Sequence, residues 1–137
     1  MHAPITAFYA GLLGLLVLVL AFRVVAVRRT TAIGLGDGGN ALLLSRIRIH
    51  GNFAEYVPLA LLLMAILELS RFSIYILHAL GITLVIARLL HGYALSFTEH
   101  FQFGRVGGAA LTLAVLLIEA VLCIYQAMLA HWVWCCA

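Results

Sequence analysis

Arg48, Asn52 and Glu55 recur at i, i+4 and i+7. A helix through them carries a cation, an amide and a carboxylate on one stripe. Such a stripe has two uses. Arg48 and Glu55 can pair and lock neighbouring helices together, or the same groups can also hold a polar ligand. Their setting makes either use costly, because the apolar segment 59–67 follows at once and polar groups in hydrocarbon are expensive. More polar residues come later. Arg88 and His91 lie one turn apart with Tyr93 close behind, and Arg105 stands before the last apolar run. Taken alone, Arg88 would snorkel to the interface and His91 would bond a carbonyl. Together, three segments bring polar groups to one depth: Arg48, His50, Asn52 and Glu55, then Arg88, His91 and Tyr93, then Arg105. The convergence describes a cationic pocket flanked by lipid, suited to an anionic, water-soluble cosubstrate that meets an apolar one.

Other chemistries lack their residues. The glycines between 34 and 39 follow no strand and lack the Gly-Lys-Ser/Thr end of a phosphate loop. No serine sits in a nucleophile elbow, and the histidines have no zinc spacing, so no metal is expected. Cys123 lies in an apolar run, and Cys135 and Cys136 are adjacent near the end. A prenylation box would need its cysteine where Trp134 stands. All eight basic residues are arginine and the net charge is +3. The charge sits mainly around one loop, which speaks for membrane topology and against nucleic acid.

The elements that position these residues follow from composition. The chain has 137 residues, 66% hydrophobic and 9% charged, where a soluble domain has roughly 25% charged residues. Its mean hydropathy is +1.17. An all-α integral membrane protein is predicted, with one domain over residues 1–137. Helices are expected at about 4–27, 41–69, 72–95 and 105–131, each near the roughly 20 residues that a bilayer requires. The first is read as an uncleaved span, since His2 and Thr6 make a poor signal-peptide n-region. Four glycines between Gly34 and Gly39 mark the first loop. Arg23, Arg28 and Arg29 before it and Arg46 and Arg48 after it place that loop in the cytoplasm and both termini outside. Asn40 is expected to cap the second helix, and Pro58 lies inside it. Glu68 is expected to pair with Arg71 at the outer interface. Glu119, deep in the fourth helix, is either protonated, paired with another helix or turned to a subunit interface. His131, Trp132 and Trp134 form an outer aromatic belt.

The stretch Arg48-Ile-His-Gly-Asn-Phe-Ala-Glu-Tyr-Val-Pro58 resembles the MAPEG family, the membrane-associated proteins in eicosanoid and glutathione metabolism. Ala87-Arg-Leu-Leu-His91 is a second match and Arg105 a third. With four spans in so short a chain, the resemblance covers nearly all of it, and is nearest to the small bacterial members. It implies a four-helix up-down bundle assembled as a homotrimer, with glutathione as cosubstrate between subunits near the cytoplasmic side. By position, Asn52 and Glu55 would hold the glutathione backbone and Arg48 would pair within that network. His91 would lie near the peptide, and Arg28 would be a further contact. Arg105 would stabilise the thiolate. The chain departs from the family pattern at Gly51, Leu95, Val106 and Ala109, where an arginine, a tyrosine, a serine and a tyrosine are usual. The expected function is a glutathione-dependent membrane transferase or peroxidase, acting on a lipophilic electrophile or lipid hydroperoxide drawn from the surrounding lipid. The alternative is a non-catalytic lipid- or ligand-binding protein on the same scaffold. A bacterial inner membrane is the expected location.

Overall fold

In membrane hydrocarbon every backbone polar group must find its partner within the segment, and runs of 20 or more apolar residues answer that demand as helices. The computed structural model describes residues 2–97 and 102–136, with side chains at 2–93, 104 and 106–132. It contains α1 (Pro4–Thr31), α2 (Ala41–Leu69), α3 (Ile74–Phe97) and α4 (Gln102–Cys136). All four are long and apolar enough to cross a membrane. Their outer faces are as apolar as their inner ones: Phe8, Leu15 and Phe22 on α1 and Leu117, Ile124 and Met128 on α4 are exposed, as suits lipid or another subunit. The chain is thus an all-α integral membrane protein with four spanning helices. The connection carrying Glu99 and His100, and the side chains of Trp134, Cys135 and Cys136, lie outside the described residues.

The ends of the helices are specified locally. Pro4 opens α1, a position where its missing N–H costs nothing. The next two amides, Ile5 N and Thr6 N, donate to the Glu68 carboxylate at 2.8 and 2.7 Å, and Ala7 N donates to Ala3 O at 2.9 Å. Every donor of the first turn is therefore satisfied. Glu68 was expected to pair with Arg71; it caps α1 instead, because two orphan amides hold a carboxylate better than one exposed arginine does. At the other end α1 runs to Thr31, four residues past the expected 27. The Thr30 and Thr31 hydroxyls donate back to Val27 O, and Ala32 closes the helix with φ 55°.

Asn40 caps α2, its Oδ1 accepting from Leu43 N at 3.0 Å. The helix continues through Pro58, which lies on its exposed side. It ends in a Schellman turn: Phe72 N donates to Leu67 O and Arg71 N to Glu68 O, both at 3.0 Å. That motif places Arg71 in the left-handed region, φ 56°, where glycine is usual.

The helices run antiparallel in succession. The start of α1 meets the end of α2 at Glu68, and Tyr9 meets the start of α3, its hydroxyl 3.0 Å from His78 Nδ1. The close of α4 returns to the same end, where Gln126 donates to Ser70 O at 3.4 Å. The α2 and α3 helices form the centre; α1 packs on one side of them and α4 on the other, and α1 and α4 do not touch among the described residues. The larger core cluster joins Leu13 and Leu20 to Ile49, Phe53, Val57 and Leu84. A second one, at the Glu68 end, joins Tyr9 to Met64, Leu67 and Leu77. Glu119 is fully buried within the protomer, and neither carboxyl oxygen has a hydrogen-bond partner among the described residues. Its burial inside one protomer turns it away from a subunit interface.

Candidate ligand-binding cleft

The polar stripe of α2 opens onto a cleft of about 610 Å³ at the end of the bundle opposite Glu68. Ser45, Arg48, Asn52 and Glu55 give it a polar floor, Leu44 and Ile47 an apolar flank, and His91 of α3 reaches it from behind. The spacing explains the alignment, since positions 48, 52 and 55 fall on one face of a helix. Gly51 keeps the floor open: a Cβ there would meet nothing within 4 Å.

Of the two uses open to the stripe, Arg48 and Glu55 do not pair with each other within the protomer. Both are exposed, and seven residues of helix separate them by about 10 Å along the axis. The charges stand at opposite ends of the cleft, with Asn52 between them.

Behind Asn52 lies a second, buried layer. Arg88 is 3% exposed. Its Nη1 donates to Asn52 Oδ1 at 2.9 Å and its Nη2 to Thr112 Oγ1 and, at 3.5 Å, to Gly108 O. Thr112 in turn donates to Gly108 O at 2.8 Å. Arg88 therefore ties α2, α3 and α4 together. With its oxygen engaged by Arg88, Asn52 has its amide N–H groups left for a ligand. The layer depends on a close helix crossing: a Cβ on Gly108 would stand 2.7 Å from Ala87 O and 2.8 Å from His91 N. Only glycine lets α4 come this near to α3.

The structure brings Arg48, Asn52, Glu55 and His91 to one cleft and sets Arg88 directly behind it. It places other candidates apart. The Arg28 guanidinium donates to Ile33 O and Gly34 O at 3.2 and 3.1 Å and so ties α1 to the first loop. His50 is half-buried beside the stripe, and Tyr93 is exposed on α3. The backbone of Arg105 lies in the first turns of α4, and its side chain lies outside the described residues.

Sequence reasoning missed two residues. Tyr56 and Thr112 line a small cavity of about 40 Å³ with Asn52, Arg88, Ala109 and Leu113. The signal for Tyr56 was its i+4 place after Asn52. For Thr112 it was a lone hydroxyl one turn after Gly108 in an otherwise apolar run.

The comparisons with known proteins agree on one assignment. The MAPEG family model matches residues 6–125. The chain is 39% identical, over 114 residues, to a protein called inner membrane protein YecN in Escherichia coli K12, covering 83% of this chain and 86% of the relative. The YecN protein of Escherichia coli O6:H1 matches to the same extent. No solved structure matches significantly. A family match over most of the chain, and relatives of this identity aligned over nearly their full length, settle the classification: the chain belongs to the MAPEG family.

Proposed function

We propose that this chain is a glutathione-dependent enzyme of transferase or peroxidase type, working as a homotrimer in a bacterial inner membrane. The observation that carries the reading is the cleft. It offers a cation at Arg48, amide donors at Asn52 and a carboxylate at Glu55, in line and exposed. A tripeptide with separated carboxylates and one ammonium group complements that order, with its ammonium towards Glu55 and a carboxylate towards Arg48. All but one of the residues lining the cleft belong to α2. A neighbouring subunit is the natural opposite wall, and lipid-facing helices stand beside it for an apolar cosubstrate. The relatives' name and the arginines of the first loop support the location, with that loop in the cytoplasm and both termini outside.

In the proposed reaction Arg105 favours loss of the glutathione S–H proton by stabilising the thiolate. The thiolate attacks an electrophilic carbon, forming a C–S bond as the leaving group departs. With a lipid hydroperoxide it cleaves the O–O bond, giving the alcohol and a sulfenic acid. A second glutathione condenses with that acid to give the disulfide and water.

A second reading has a specific observation in its favour. Val106 and Ala109 stand where hydroxyl residues are usual in the family, and Ala109 faces the small inner cavity. On that reading the chain binds a lipid or other ligand without turning it over. Titration calorimetry with glutathione, ultraviolet absorbance of bound thiolate and turnover of a chlorodinitroarene separate the two. Saturable binding with thiolate and turnover is expected. Saturable binding without either would favour the binding protein, and no binding would remove glutathione from the account.

A further inference from the structure

We propose that Arg88, Asn52, Tyr56 and Thr112 build a site for one small monovalent anion of halide size, inside the protomer and separate from the cleft. Arg88 carries a full positive charge and is 3% exposed. Its partners, the Asn52 amide oxygen, the Thr112 hydroxyl and the Gly108 carbonyl, are all neutral. Among the described residues its Nε has no hydrogen-bond partner. A buried charge normally comes with an opposite one, and no carboxylate among the described residues bonds this guanidinium. Glu55 is exposed along the cleft. Glu119 lies seven residues beyond Thr112 on α4, about 10 Å further along the helix.

The cavity beside Arg88 supplies the space. Its volume is about 40 Å³, enough for a small ion or a water molecule. Its walls suit an anion: the Arg88 guanidinium contributes charge and Tyr56 a phenol, with Ala109 and Leu113 as apolar sides. Asn52 lines both this cavity and the cleft and forms the wall between them. A water molecule would satisfy a donor there but leave the charge uncompensated.

The test uses the full-length protein in mild detergent at constant ionic strength, with bromide replacing gluconate, which is too large to enter. The midpoint of thermal unfolding is expected to rise saturably, by a few degrees at about tenfold excess over Kd. Sulfate should give no saturable rise. Ala109→Val fills the cavity and leaves Arg88 and its partners in place, so the bromide response should disappear. Line broadening of the chloride nuclear magnetic resonance signal by wild-type protein, reversed by bromide and unaffected by glutathione, gives a second readout that needs no variant. Equal responses to bromide, sulfate and gluconate would overturn the proposal. So would a bromide response that survives in well-folded Ala109→Val. Loss of the chloride signal on adding glutathione would overturn it too, by showing that the anion at Arg88 is the cleft ligand's own carboxylate.

Discussion

Asn52 serves two masters: its oxygen accepts from Arg88 and its remaining donors face outward. Asn52→Ala therefore removes a ligand contact and also strands a buried guanidinium N–H. The expected loss is about 1–3 kcal/mol of stability, together with weakened glutathione binding. Glu55→Ala should behave differently. Glu55 is exposed and unpaired with Arg48, so thermal stability should stay within about 0.5 kcal/mol while glutathione affinity falls. Comparing unfolding midpoints and calorimetric titrations of the two variants checks both. A large stability loss in Glu55→Ala would mean that its carboxylate is buried against another subunit. The stripe itself was legible in the sequence because i, i+4 and i+7 is a local rule that no tertiary contact alters. The role of Arg88 was not, since its partners Asn52 and Thr112 are 36 and 24 residues away, and a threonine in an apolar run gives no sign of what it will bond. Glu68 was misread for the same reason: Arg71 is three residues away in sequence, while the amides it serves are more than sixty residues away.

At the scale of the elements, length and apolarity made four helices readable, and the capping residue Asn40 marked one start. The close packing of α4 on α3 was legible only as a pair of glycines. Gly107 has nothing within 4 Å of a built Cβ, while Gly108 meets the backbone of α3, and only the crossing distinguishes them. Gly108→Ala should accordingly cost about 1–3 kcal/mol through overpacking against a backbone that cannot yield. Gly107→Ala should cost little. Arg71→Gly should act in the opposite direction. It relieves a left-handed residue in the turn between α2 and α3, and a gain of roughly 1 kcal/mol is expected. Thermal unfolding in one detergent ranks all three variants, and an Arg71→Gly protein less stable than wild type would show that the arginine side chain does more than accept the turn.

For the whole molecule, the one-sided cleft and the apolar exterior set the expectation of assembly. Native mass spectrometry from mild detergent should show three copies, and glutathione should raise the proportion of trimer if it lies between subunits. A monomer that binds glutathione with undiminished affinity would place the entire site within one protomer. Orientation has its own check. Impermeant thiol reagents should label Cys135 and Cys136 in intact spheroplasts, whereas labelling only after lysis would reverse the assignment drawn from the arginines.

The Glu68 clasp on α1 bears on how the chain enters the membrane. When the first span leaves the ribosome, the amides of Ile5 and Thr6 have water but no side-chain acceptor, because residue 68 has yet to be made. They acquire one only when α2 has crossed and its far end has arrived beside them. The first two spans thus mature as a single hairpin, and it is the second span that completes the first.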